Sequence, residues 1–163
     1  MPAFVPPDFD IPRRLETPDF ILRPLTIHDL LKDYAAVMTS VERLQGVFGP
    51  GSDWPRPDMT LEEDLADLGW HQVEFERRTS FAFTVMAPDE GQCLGCAYLY
   101  PSERAGFDAK AYCWVRASAA DLDAALFAAF RDWLLSAWPF ARVAFPGRDI
   151  AWADWTAADL SGS

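Results

Sequence analysis

The chain has 163 residues and a formal net charge of −11, and half of its residues are hydrophobic. This composition favours one folded domain with a substantial core and excludes a disordered chain. The negative charge predicts that neither nucleic acid nor an anionic membrane is a main partner, and no apolar run is long enough for a transmembrane helix.

Residues 1–14 are predicted to form an extended arm, ahead of a single domain over residues 15–163. The arm contains four prolines, which fix φ and lack an N–H donor, so neither helix nor central strand is expected. Its apolar side chains, such as Phe4 and Phe9, are expected to pack on the domain or on a partner. The arm has no basic stretch ahead of an apolar run, so it is not a secretion signal. With only three cysteines, the sequence predicts a reduced, cytoplasmic protein.

The first part of the domain is predicted to be a strand followed by helices. Residues 19–25 have the alternating pattern of a strand. A helix is expected to begin at Thr26, because Asp29 follows at capping-box spacing. A short helix is predicted over residues 40–44. Residues 46–59 are rich in glycine and proline and predict a loop, whose large aromatic side chains either touch a ligand or cap the core.

A long helix is predicted to begin at Thr60 and to extend through Arg78. Glu63 supplies the partner of Thr60 in a capping box. The buried face of this helix is expected to contain Leu61, Leu65, Leu68 and Phe75. His71 lies in the middle of the helix and is expected to be a surface or partly packed residue, not a ligand or a base.

Three strands over residues 80–86, 92–100 and 108–115 are predicted to form an antiparallel meander. Cys93 and Cys96 form a C-x-x-C within the second strand. Strand side chains three positions apart point to opposite faces, and no second cysteine pair or histidine cluster completes a zinc site. We therefore interpret both as ordinary strand residues without metal or redox chemistry.

The next helix is predicted to begin at Ser118, with Asp121 at capping-box spacing, and to end before Pro139. Residues 141–145 predict a last strand. It should run parallel to the strand over residues 108–115, because a helix crosses between them. The remaining tail is too short to predict much further structure.

No motif for nucleophilic, metal or phosphate chemistry is present. The two histidines, His28 and His71, are far apart, and the sequence contains no HExxH, GxxxxGK[ST], GxGxxG or EF-hand loop. Residue types alone therefore assign no catalytic residue and no metal ligand.

The opening LETPDFILRPLTIHDL resembles the first strand and helix of GNAT-type N-acetyltransferases, in the branch of ribosomal-protein N-terminal acetyltransferases. The positions that match this opening are Leu15, Thr17, Phe20, Leu22, Arg23, Pro24 and Leu25. Two later runs, CLGCAYLY and AYCWVR, are similar to the third and fourth strands of that family. The resemblance extends from Leu15 to Phe145. It implies an α/β (α+β) fold with a mixed, mostly antiparallel sheet flanked by helices, truncated after the fifth strand.

In that family, acetyl-CoA lies between the splayed fourth and fifth strands, and its pyrophosphate sits on the turn that begins the next helix. The resemblance implies a cofactor site at Trp114, Val115, Arg116, Ser118, Ala119, Ala120 and Asp121. Arg116 matches the family's motif. Ala119 stands where the family has glycine, and Asp121 stands where it has glycine or alanine. Alanine hinders close approach of a phosphate, and the carboxylate adds a like charge. We expect these changes to weaken affinity about tenfold or more.

Two hypotheses follow. The first is an acetyl-CoA-dependent N-acetyltransferase that acetylates a primary amine of a small molecule or a protein, with the acceptor near residues 46–59. The second is a non-catalytic binding or assembly protein of the same fold that has lost acetyl-CoA binding. No tyrosine follows Pro146, whereas the family commonly has a general-acid tyrosine there. In the second case Trp138, Trp152 and Trp155 would be available to complete a homodimer.

Overall fold

The computed structural model describes residues 3–161, with side chains described for residues 3–156. One six-stranded sheet has the order β1-β2-β3-β4-β5-β6. The strands are Leu15–Glu16, Ile21–Pro24, Phe81–Met86, Cys93–Pro101, Ala109–Val115 and Val143–Ala144. All neighbours are antiparallel except β5 and β6, which are parallel. The predicted mixed, mostly antiparallel α/β (α+β) fold is confirmed, while the short β1 was not predicted.

The α-helices of the described part are Leu30–Met38, Val41–Leu44, Leu61–Glu76, Asp123–Ala137 and Trp152–Ser161, numbered α1 to α5. Short 3-10 helices, Ile27–Asp29 and Ala117–Leu122, precede α1 and α4. Helix α5 lies in the tail for which little structure was predicted. None of the helices within residues 3–161 is long and apolar enough to cross a membrane.

The sheet separates two clusters of buried side chains. On one face, α4 and the N-terminal arm pack around residues such as Phe83 and Phe130. On the other face, α1, α2 and much of α3 pack around Leu44, Tyr98 and Trp114. Because strand side chains alternate between faces, β4 and β5 contribute to both clusters.

The N-terminal arm packs on the domain through its apolar side chains, such as Phe4 and Val5, and its first two residues lie outside the described part. The ring of Phe4 stacks on that of Phe140, with centroids 5.1 Å apart. Arg78 Nη2 donates to the carbonyl oxygens of Pro6 and Phe9 at 2.7 and 2.8 Å. The arm is therefore held both by apolar contacts and by hydrogen bonds from the Arg78 side chain to its carbonyl groups.

A β-bulge in β4 corrects the prediction that Cys93 and Cys96 point to opposite faces. Val85 pairs with Gly95, but Met86 pairs with Cys93, so Leu94 is an extra residue. The extra residue shifts the alternation of side chains by one position, so Cys93 and Cys96 lie on the same face of the sheet. Both thiols are therefore buried in the cluster beneath α1 and α2.

Helix α3 is rotated relative to the predicted buried face. Leu65 is 41 % exposed, whereas Asp64 is 2 % exposed. The residues that face the protein recur at helical spacing as Asp64, Leu68, His71 and Phe75. The prediction counted apolar residues only, so it was wrong for Leu65 and overlooked the carboxyl group of Asp64.

Candidate functional site

A cleft opens where β5 and β6 diverge, after pairing over only two residues each. Beyond β6 the amide of Phe145 donates to Asp149 Oδ1 at 2.9 Å, and Pro146 has no N–H to offer β5. The last strand is therefore shorter than the predicted 141–145. The cleft has a volume of about 360 Å³, and Trp114 and Val115 of β5 contribute to its lining.

Two arginines donate to the carbonyl groups of β5 at this cleft. Arg148 Nη2 lies 2.9 Å from the carbonyl oxygen of Cys113, and Arg43 Nε lies 3.1 Å from that of Val115. Asp123 accepts two bonds of 2.9 Å from Arg148 and lies 3.8 Å from Arg43. The bond from Arg148 lowers the pKa of Asp123, so its carboxylate is ionised at neutral pH. These side chains leave the cleft with more positive than negative charge in an otherwise acidic chain.

The turn after β5 is a 3-10 helix, and the predicted capping box there is wrong. The turn begins after Arg116, and α4 begins after Leu122, with no side-chain cap bond at either position. Ser118 and Asp121 are both exposed on the turn, as is Ala120. The first amides of the turn donate to groups other than the Ser118 hydroxyl.

Two amides of this turn are already engaged within the chain. The amide of Ala117 donates to Ser40 Oγ at 2.8 Å, and that of Ala119 donates to the Arg116 carbonyl at 2.9 Å. Ala119 itself is buried. A phosphate at this turn must therefore use its other amides or the arginines of the cleft.

The Arg116 side chain is only 9 % exposed and points into the protein. Its Nη1 donates to the Cys93 carbonyl at 3.1 Å, and its Nη2 donates to Thr39 Oγ1 at 3.3 Å. The guanidinium thus ties β5 to β4 and to the end of α1.

We expect Arg116→Ala to lower the free energy of unfolding by about 2 kcal/mol, because a buried carbonyl loses a charged donor. Chemical denaturation measures this change. Arg77→Ala, at an exposed position, is the control, with an expected change below about 0.5 kcal/mol. Equal stability of the Arg116→Ala variant and the native chain would contradict the buried role of the guanidinium.

A second cavity, of about 210 Å³, lies beneath the loop over residues 46–59. We call it the acidic cavity, because its lining contains Asp33, Asp64 and Asp67 together with Phe48, Trp54, His71 and Tyr98. Phe48 and Trp54 are half-buried, and their ring centroids are 5.2 Å apart. Burial lowers the pKa of His71, so its ring is neutral at pH 7.

Sequence reasoning missed the residues that most distinguish these two cavities. The pairing of Arg43 and Arg148 with β5 has no local sequence signal, since the three segments are far apart in the chain. The helical spacing of Asp64 with Leu68 and His71 was a usable signal. Within the described residues, no group of three histidine, cysteine or acidic side chains is placed to hold a metal ion.

The tryptophans considered for a dimer are mostly buried within one chain. Trp138 and Trp155 are 5 % and 4 % exposed, so neither ring is available to a second copy. Trp152 is half-buried and stacks on Tyr112 at the cleft, with ring centroids 6.1 Å apart. Trp138 and Trp155 therefore pack within one chain, and the homodimer stays a prediction.

The fold matches those of solved acetyltransferases. The ribosomal-protein-S5-alanine acetyltransferase from Vibrio fischeri superposes with a TM-score of 0.64 and 17% identity, over 94% of this chain and 81% of that one. A GnaT-family acetyltransferase from Bordetella pertussis gives 0.53 and 19%, over 77% and 73%. Mycobacterium smegmatis RimJ, solved in complex with CoA-disulfide, gives 0.56 and 17%, over 72% of this chain and 57% of that one.

The chain therefore has the GNAT fold, as the resemblance of its opening strand and helix predicted. No protein-family model matches the sequence, and no curated protein matches it.

Proposed function

We propose that the chain is an acetyl-CoA-dependent N-acetyltransferase whose cofactor lies in the cleft between β5 and β6. The observation that supports this proposal best is the divergence of the two strands. It gives Cys113 and Val115 backbone carbonyls that face a cavity lined by two arginines. A cofactor with amide and phosphate groups needs both kinds of partner.

The arginines would change partners when the cofactor binds. Arg148 and Arg43 would leave the β5 carbonyls, which would then accept from amide donors. Their guanidinium groups would turn to the phosphates, for which a planar set of N–H donors is well suited. Local positive charge would thus offset the repulsion expected from a chain of net charge −11.

Acetyl-CoA would supply the acetyl group as a thioester. The chain would hold a primary amine in line with that group and polarise the carbonyl with a backbone N–H. The acceptor would approach from the acidic cavity, whose Phe48 ring contacts a residue of the cleft. The Phe48 ring lies 5.1 Å from the Tyr98 ring in that cavity and 5.2 Å from the Tyr112 ring at the cleft.

Calorimetric titration with acetyl-CoA tests the proposal. We expect micromolar affinity that falls about tenfold or more in Arg148→Ala, because a charged bond to phosphate is lost. Arg131→Ala removes an exposed arginine from α4 and should bind as the native chain does. Absence of both binding heat and a thermal shift in the native chain would reject a cofactor site.

A second function is favoured by the same arginine bonds. Arg43 and Arg148 already satisfy the carbonyls of Val115 and Cys113, and two amides of the turn are engaged. A non-catalytic binding protein of this fold would keep these carbonyl and amide groups occupied in this way. In that case neither the native chain nor Arg148→Ala would bind acetyl-CoA.

A further inference from the structure

The acidic cavity contains two carboxyl groups at a depth where carboxylates are rare. Asp33 comes from α1 and is 4 % exposed, and Asp64 comes from α3 and is 2 % exposed. Asp64 Oδ2 is buried and has no hydrogen-bond partner. A buried carboxylate oxygen without a donor is energetically unfavourable.

The described residues of the chain provide no cation to this cavity. No lysine or arginine is among the described side chains that line it, and Asp67 adds a third carboxyl group at its exposed rim. Burial raises the pKa of Asp33 well above its usual range, and the neighbouring Asp64 raises it further. Burial also raises the pKa of Asp64. The ionised form of this pair is therefore disfavoured in the absence of a neighbouring positive charge.

Apart from Leu25 and Leu68, the rest of the lining is aromatic. Phe48 meets Tyr98 edge-on, with centroids 5.1 Å apart and an interplanar angle of 74°. Trp54 closes the side formed by the loop, and Tyr100 stacks beside Tyr98 with centroids 6.3 Å apart. Aromatic faces attract cations and cover the apolar part of a ligand. A metal ion would instead require several oxygen, nitrogen or sulfur ligands placed around it.

We propose that the acidic cavity binds the protonated amino group of a small arylalkyl amine, with the ammonium between Asp33 and Asp64 and the ring against the aromatic lining. An ammonium has three N–H donors, which would satisfy Asp64 Oδ2 and neutralise the pair. As the site of the acetyl acceptor, this cavity rests on the proposed function. As a binding site for an ammonium group, it stands independently.

Calorimetric titration of the full chain with phenethylamine, without any CoA, tests the inference. The matched probe is 2-phenylethanol, which replaces the ammonium by a hydroxyl group. We expect the amine to bind about 30-fold more tightly than the alcohol, because hydrogen bonds to charged groups are about twice as strong as neutral ones. Asp64→Asn should reduce amine affinity about tenfold or more and leave alcohol affinity unchanged.

Two controls separate loss of the site from loss of the fold. Asp132→Asn makes the same charge change at an exposed position of α4 and should bind the amine normally. Asp64→Asn should be no less stable than the native chain in chemical denaturation. Equal affinity for amine and alcohol, or normal amine affinity in Asp64→Asn, would overturn the inference and leave a carboxyl pair with a structural role only.

The two proposals fail in different ways. If the amine binds but acetyl-CoA does not, the ammonium site stands and the transferase does not. If acetyl-CoA binds but the amine shows no preference over the alcohol, the transferase stands and its acceptor lies elsewhere.

Discussion

Gly95→Ala is expected to destabilise the protein by about 4 kcal/mol or more, enough to prevent folding if the native chain is marginally stable. A Cβ atom at this position would lie 2.0 Å from the carbonyl oxygen of Trp114 and 3.1 Å from the Cα of Val115. Both are backbone atoms of β5, so no side-chain movement relieves the overlap. The strands would have to separate at the bulge of β4, next to the cleft.

Chemical denaturation of Gly95→Ala and Gly69→Ala measures the effect against a matched control. Gly69 lies within α3, and a Cβ there would meet nothing within 4 Å. The control should gain about 1 kcal/mol, because alanine favours helix more than glycine does. A Gly95→Ala variant as stable as the native chain would show that β4 and β5 do not approach this closely.

Asp33→Asn is expected to raise the free energy of unfolding at pH 8 by about 3 kcal/mol, since it removes a buried carboxyl group whose ionisation the fold disfavours and gives Asp64 an amide donor. Burial raises the pKa of Asp33 well above its usual range, and Asp64, Asp29 and Asp67 raise it further. The unfolded chain ionises at a lower pH than the folded chain. The contribution of Asp33 to stability therefore falls as pH rises from about 4 towards its folded pKa.

Unfolding curves between pH 4.5 and pH 8 test the direction of this pH dependence. The stabilisation by Asp33→Asn should be small at the acid end and largest at the alkaline end. Asp132→Asn, which is exposed, should change stability by less than about 0.5 kcal/mol at every pH. A gain that does not grow with pH would mean that Asp33 titrates normally.

A residue whose removal stabilises the protein is typical of a binding or catalytic site, where stability is sacrificed for function. Asp33 and Asp64 would fit that description if Asn at either position improves stability and Asn at Asp64 impairs amine binding. The same pair of measurements thus connects the stability of the cavity to its proposed ligand.

Local sequence signals predicted two of the helix starts correctly. The capping box of Thr26 and Asp29 is present with both of its bonds, and the Thr60 hydroxyl accepts from the amide of Glu63. The same spacing at Ser118 and Asp121 failed. There the Ser40 hydroxyl, from a distant part of the chain, accepts the first amide and a tighter turn forms.

Most of the strands and helices could be predicted from the sequence, because periodicity, caps and turn residues act over a few positions. The mixed sheet and the GNAT fold were implied by the resemblance of the opening strand and helix to that family. Tertiary structure alone decided the two cavities. Arg148 reaches the Cys113 carbonyl, and Asp33 meets Asp64, only because separate helices and strands pack together. Electrostatic interactions and burial depend on distance in space, and that distance is set by packing between segments far apart in the chain.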